Sequence, residues 1–332
     1  MQLNENETVA KSRNKILAQV IQVFSNHNLL PWLICAAIFL IMGLISPSMF
    51  SGYSIASILS TATPGILMSA GEIIVMIAGS IDLSLAASVG FSSVLAAGLM
   101  EKMGLPIPLA IIIVLLAGAL IGLINGLIVG KGKLQSFIVT LGSSVVLRGI
   151  TLVYSAGTSI PLAQTGQTFI KISTYQLLGL PLYFWVGLVL IILTSFYILK
   201  TKYGRHLYAL GGSELAARVA GLRADSLRIK AFTLAGFFSA LSGLTLLAKF
   251  GSGWPQAASG WEMDGIAASV LGGANFAGGV GLPLGAIPGS IVLDLILRFL
   301  VTLGIDPYWQ YAAKGIFVII IALSLARGEY GR

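Results

Sequence analysis

Six ionisable side chains stand within or beside stretches that are otherwise apolar: Glu72, Asp82, Arg148, Asp294, Arg298 and Lys314. A charge in such a stretch is expensive in a lipid or low-dielectric setting, so each is expected to face a cavity, a partner group or another charge. Asp294 and Arg298 are four residues apart, the spacing at which two side chains meet on one helix face, and a local ion pair is expected. Arg148 and Lys314 belong to different stretches and are expected to meet carbonyls or a carboxylate across a bundle. Glu72 has no basic residue near it in sequence. Two roles stay open for it, lining a pathway or hydrogen bonding in protonated form to a neighbouring helix. Asp82 follows Gly79-Ser80-Ile81 in a turn between two stretches, where the N-cap of the next helix is the expected role.

The chemistry this set supports is ion pairing and solute passage, and no bond-breaking motif accompanies it. Gly130-Lys131-Gly132-Lys133 and Lys314-Gly315 lack the glycine spacing and the Ser or Thr of a phosphate-binding loop. Gly279-Val280-Gly281-Leu282-Pro283-Leu284-Gly285 has dinucleotide-like glycines in the wrong register and no strand before it. There is no HExxH and no GxSxG. Cys35, His27 and His206 are the whole supply of Cys and His and offer no metal cluster, so no cofactor, metal or catalytic residue is expected.

These residues must be positioned by membrane helices. Of 332 residues 56% are hydrophobic and only 10% charged, with a mean hydropathy of +0.93. A soluble domain carries about a quarter charged residues, so the chain is expected to be an integral membrane protein. Forty glycines fit that class, since glycine lets membrane helices approach closely. Ten apolar runs are legible, at 30–45, 55–78, 83–99, 107–129, 137–154, 182–199, 231–247, 265–279, 282–303 and 309–325. Most approach the roughly 20 residues a crossing helix needs. The eighth is short and glycine-rich, as a broken or re-entrant helix would be. The expected fold is therefore all-α, a polytopic membrane helical bundle of about ten transmembrane helices.

Charge orients the bundle. The net charge of +8 is expected to reflect cytoplasmic loops rather than a nucleic-acid partner. With the N-terminus inside, 14 Lys and Arg fall on the cytoplasmic side and only Lys102, Lys171 and Lys249 outside. That asymmetry places both termini in the cytoplasm. The expected division is a tail at 1–28, a transmembrane domain at 29–326 and a short tail at 327–332. Within the first tail, Ile16, Leu17, Val20, Ile21 and Phe24 recur at helical spacing beside Lys15, as in a helix lying on inner-leaflet lipid.

The cytoplasmic segment 200–230 has a shape of its own. Gly211 and Gly212 break it, Ser213 is a candidate N-cap, Glu214 sits where a carboxylate meets the positive helix end, and Gly221 suits a left-handed C-cap. A two-turn helix is marginal alone in water. It must pack on its own domain or dock on a cytoplasmic partner. Two roles stay open for the eighth run: Ser269 and Asn275, near Trp254, Trp261 and Phe276, meet a neutral polar solute, or its glycines serve only close helix packing.

Three fragments in order carry a family resemblance. They are Ala78-Gly79-Ser80-Ile81-Asp82-Leu83-Ser84; Tyr203-Gly204-Arg205 with Gly211-Gly212-Ser213-Glu214 and Ala216-Ala217-Arg218 to Gly221; and Met263-Asp264-Gly265-Ile266-Ala267-Ala268 through Gly272-Gly273 to Gly278-Gly279. Together they resemble the bacterial ABC permeases of the ribose, xylose and autoinducer-uptake type. The chain departs from that pattern at Ser80, usually a second glycine, and at Gly265, usually alanine.

The resemblance implies the permease half of an importer in the bacterial inner membrane. Its partners would be a second permease subunit, the same or a related chain, a cytoplasmic ABC ATPase subunit, and a periplasmic substrate-binding protein that delivers a sugar. It implies an ATPase-coupling segment at Gly212, Glu214, Ala216, Ala217, Arg218 and Gly221. It also implies motif or pathway roles for Glu72, Gly79, Asp82, Asp264, Gly272, Gly273, Asn275 and Gly278. The competing class is a stand-alone secondary transporter or channel. Such proteins often carry intramembrane charge relays and inverted repeats, whereas here the halves duplicate only weakly and their acidic residues do not recur at matching positions.

Overall fold

The computed structural model of the chain describes residues 29–306 and, beyond them, 309, 312, 315 and 316. The expected surface helix in 1–28, His27, Lys314, most of the tenth run and the tail 327–332 lie outside the described residues. The helices are α1 (Leu30–Ile45), α2 (Gly52–Ile77), α3 (Leu85–Glu101), α4 (Ile107–Gly130), α5 (Ser136–Ser155), α6 (Thr165–Ser173), α7 (Leu182–Lys200), α8 (Lys202–Gly212), α9 (Glu214–Val219), α10 (Ala224–Phe250), α11 (Trp261–Leu271) and α12 (Ala286–Thr302). The described residues also hold two 3-10 turns, Pro47–Phe50 and Pro283–Gly285, and four two-residue strands: β1 (Ile160–Pro161), β2 (Gln176–Leu177), β3 (Leu180–Pro181) and β4 (Ser252–Gly253).

Among the described residues six stretches are long and apolar enough to cross a membrane: α2, α4, α5, α7, α10 and Pro283–Thr302, which is α12 with its leading 3-10 turn. α1 and α3 are apolar but shorter, at 16 and 17 residues, or about 25 Å at 1.5 Å per residue. The eighth run holds only the 11-residue α11, followed by a glycine-rich loop at 272–281. The sequence places the start of the seventh helix at 231. The helix instead begins at Ala224, because Ala224 and Leu227 are buried while Asp225, Arg228 and Lys230 share its other faces. The sequence reading also misses α8, whose Thr201 cap accepts a hydrogen bond from the Gly204 amide and whose Leu207 and Leu210 are buried. The strands leave the all-α expectation standing, since each is only two residues long. β1 pairs with β4, while β2 and β3 form a hairpin around Leu178 and Gly179, both at positive φ as a two-residue hairpin turn demands.

The centre of the bundle is α10 and α2, whose apolar windows are 83% and 78% buried, against 22% for α4 and for α5. Glycine lets α4 approach α10. A Cβ at Gly118 would lie 2.5 Å from the Gly236 carbonyl oxygen, and one at Gly122 would lie 2.0 Å from that of Phe232. Two glycines four residues apart on one helix, opposed by Gly236 on the other, make a seam in which backbones approach closely with only the Ala240 methyl beside them. Gly71 of α2 meets the Ala235 backbone in the same way, at 3.0 Å.

Candidate functional site

At one end of the bundle, α8 and α9 form a hairpin on the surface. Ser213 caps α9 by accepting the Ala216 amide at 3.2 Å. At its other end Gly221 takes φ +79°, with Gly221 N–H donating to Arg218 O and Leu222 N–H to Ala217 O, both at 3.0 Å. That pair of bonds is a Schellman motif, so both ends of this short helix are satisfied as its sequence predicts. Ala217 faces inward and is buried, while Leu215 and Val219 are 76% and 83% exposed. They form an apolar pair four residues apart on the exposed side of the helix. Neither residue stood out in the sequence, where Leu and Val blend with the apolar background.

Glu214 does not point outward with them. Its carboxylate accepts from Arg228 of α10 and from Arg218 Nε at 2.9 Å, and Arg218 in turn donates to Asp225 of α10 at 2.7 Å. The bond from Arg228, then that from Arg218, holds the Glu214 carboxyl below its ordinary range. A depressed carboxyl contributes its stabilisation at neutral pH and loses it as pH falls through the lowered value, so the tie between α9 and α10 is intact under physiological conditions.

Beneath the hairpin lies a node of glycines from three distant parts of the chain. Gly279 N–H donates to Ile77 O at 3.0 Å, joining the loop 272–281 to the end of α2. Gly211 of α8 closes over this bond, since a Cβ there would lie 1.9 Å from Ile77 O and 2.3 Å from Gly279 N. Gly278 sits against Gly79 and Gly211, with their nearest atoms 2.8 Å from its would-be Cβ. Tyr208 of α8 donates its hydroxyl to Gly281 O at 2.6 Å. The loop is closed on itself, with Asn275 Oδ1 accepting the Ala277 amide and Asn275 O accepting the Gly278 amide. Gly272 ends α11 and Gly273 follows at positive φ. The motif residues Gly79, Gly212 and Gly278, from three stretches more than 60 residues apart in sequence, are thus brought together at one hairpin.

The turn 79–84 leads from this node into a buried polar chain. Asp82 is not the N-cap expected of it. α3 starts at Leu85 with no side-chain cap, and Asp82 Oδ1 accepts the Ser84 amide at 2.8 Å and the Ser84 hydroxyl at 2.6 Å. The short Asp side chain finds donors two residues on, an Asx turn that competes with capping. Glu72 accepts the Asp82 amide at 3.2 Å, so both carboxylates serve the turn. Asn125 of α4 donates to Ser84 Oγ at 2.8 Å and accepts from Ser143 of α5 at 2.5 Å, and Thr140 Oγ1 of α5 accepts the Leu83 amide at 3.0 Å. Asn125, Thr140 and Ser143 escaped the sequence reading because single polar residues in apolar runs give no local signal.

Toward the opposite end, a cavity of about 200 Å³ is lined by α2, α11 and α12, with Thr61, Ser69, Trp261, Asp264, Ser290 and Asp294 as its polar or aromatic walls. A second, wider cleft of about 580 Å³ includes Tyr53, Ser57, Ser60, Gln176, Tyr183 and Lys249, and shares Thr61 with the first. Asp294 and Arg298 pair as their spacing predicts, at 2.6 Å, and Arg298 also donates to Ser57 O at 3.2 Å and Thr61 Oγ1 at 3.1 Å. Arg148 finds its carboxylate across the bundle, in Glu262.

The groups read as meeting a neutral polar solute are separated. Trp261 lines the cavity, but Ser269 is spent on Gly265 O and Ser69 O. Asn275 and Phe276 lie in the loop at the other end, because α11 stops at Leu271.

Residues 54–322 match the family described as branched-chain amino acid transport system / permease component. The chain is 35% identical to the ribose import permease protein of Haemophilus influenzae, over 86% of this chain and 88% of that one. It is 32% identical to the ribose import permease protein of Escherichia coli, over 85% and 88% of the two chains. It is 30% identical to the galactose/methyl galactoside import permease protein of Escherichia coli, over 86% and 90%. No solved structure matches.

Proposed function

Because the chain belongs to the permease-component family of transport systems, we propose that it is the membrane subunit of an ATP-binding-cassette importer for a neutral sugar. In this reading it sits in the bacterial inner membrane beside a second permease subunit. It receives solute from a periplasmic binding protein and is driven by a cytoplasmic ATPase. The sugar class follows the ribose and galactose in the names of its relatives, and hydroxyls of Thr61, Ser69 and Ser290 beside Trp261 suit such a solute.

The observation that carries the reading is α9, a two-turn helix capped at both ends, presenting Leu215 and Val219 outward while its base rests on the glycine node. A partner that grips this helix moves the turn 79–84 and the loop 272–281 with it. In that way ATP-driven closure would switch the bundle between outward-open and inward-open states. Gly212, Glu214, Ala216, Ala217, Arg218 and Gly221 form the coupling segment. Glu72, Gly79, Asp82, Asp264, Gly272, Gly273, Asn275 and Gly278 form or support the gate and pathway.

The test is to replace Leu215 and Val219 together by aspartate. Each apolar side chain contributes about 1.5–3 kcal/mol when buried at an interface, so the variant should insert normally and lose at least about tenfold in affinity for the ATPase. Undiminished copurification of the ATPase would overturn the docking role. Transport by the wild-type chain alone under an ion gradient would instead favour a secondary transporter.

The reading includes both termini in the cytoplasm and about ten spans. In a background without Cys35, cysteines at Ser173 and Ser259 should react with an impermeant thiol reagent added outside sealed cells, and one at Arg223 should not. Labelling of position 223 from outside would reverse the orientation.

A further inference from the structure

Two charged rungs join the exposed hairpin to the central helix. Glu214 and Arg218 are one turn apart on α9, and Asp225 and Arg228 lie in the first two turns of α10. Glu214 pairs with Arg228, Arg218 pairs with Asp225, and Glu214 crosslinks the rungs through Arg218. The four charges alternate in sign and sum to zero, so the array holds its geometry without drawing in a further ion. The rungs differ in burial. Arg228 is only 16% exposed and its Nε is buried without a partner among the described residues, whereas Arg218 is 40% exposed. An exposed pair is worth little because water competes for both ions. Glu214 and Asp225 are both 38% exposed, so the rungs differ in their arginines alone, and the drier Arg228 is the costlier one to leave without its carboxylate.

We propose that Arg228, acting through Glu214, is the positioning residue that transmits movement of α9 to α10. The inference rests on the coupling role given to α9 above. It adds that the Glu214 carboxylate is engaged by the permease's own arginines, leaving Leu215 and Val219 for the partner. It also adds that the stroke enters the bundle by a second route besides the glycine node. α10 is the effective receiver, since it packs on α2, α3 and α4 at backbone contact through Gly71, Gly243 and Gly118. A displacement of its first turn is passed to three helices at once, because a close-packed seam cannot absorb it.

The experiment uses the full permease with its ATPase in lipid vesicles and a single cysteine at Phe250, the exposed far end of α10, in a background without Cys35. ATP with magnesium should change the modification rate of that cysteine several-fold. Arg228→Met should keep ATPase association and abolish the change. Arg228→Lys, which restores the charge, should recover it. Glu214→Gln should reproduce Arg228→Met, and the two together should be no worse than either, as expected of residues acting as one unit.

The inference is overturned if Arg228→Met keeps the ATP-dependent change, if the change is absent with Arg228 intact, or if Arg228→Met releases the ATPase. Failure of the underlying docking role would appear separately, as ATPase association undisturbed by the Leu215 and Val219 substitutions.

Discussion

Gly211→Ala is expected to abolish uptake, while Gly212→Ala, one residue along, leaves the packing of the bundle undisturbed and costs far less uptake. The two differ only in their surroundings. A Cβ at Gly211 would lie 1.9 Å from Ile77 O and 2.3 Å from Gly279 N, both backbone atoms that no rotamer change can move aside. A Cβ at Gly212 would meet nothing within 4 Å. Overpacking of this kind costs about 1–3 kcal/mol, and here the strain falls on the hydrogen bond that joins the end of α2 to the loop 272–281. Each 1.4 kcal/mol is about a tenfold change in a conformational population, so the state in which α8 closes over that loop should be depleted by about tenfold or more. Solute uptake by cells expressing each variant at equal membrane abundance is the measurement. Wild-type uptake by Gly211→Ala would remove the glycine node from the mechanism.

Arg298→Leu should destabilise the protein more than the double replacement Asp294→Leu with Arg298→Leu. The single change leaves Asp294, 14% exposed, without its guanidinium, and also releases Ser57 and Thr61 of α2. Stranding one member of a buried pair costs about 3–5 kcal/mol, whereas removing both is often close to neutral. Arg298 is 29% exposed, so the lower part of that range applies. Thermal unfolding in detergent should therefore rank wild type first, the double variant next and Arg298→Leu last. A double variant less stable than Arg298→Leu would mean that the pair serves packing rather than charge compensation.

The sequence by itself determined what depends on residues within a turn or two of one another and on composition. Low charge and high hydropathy place the chain in a membrane, since a surface that poor in polar groups cannot face water. The spacing of Asp294 and Arg298 settles their pairing, because a helix brings residues four apart together whatever surrounds it. Ser213 and Gly221 mark both ends of α9, because caps satisfy the helix's own backbone. Three motif fragments carried the family, in agreement with the match over 54–322.

The tertiary structure decided what depends on helix crossing. Glu214 lay in a segment whose sequence suggested a partner contact, and the position of α10 brought Arg228 to it. Asp82 had the right place for a cap but bonded Ser84 two residues on, and the crossing of α2 brought the Glu72 carboxylate to its amide. The glycine node joins Ile77, Gly211 and Gly279 only because α2, α8 and the loop after α11 end at the same level of the bundle. Such meetings are fixed by where rigid helices of given length terminate in space. No local spacing encodes that, and the same glycines in another packing would have been ordinary loop residues.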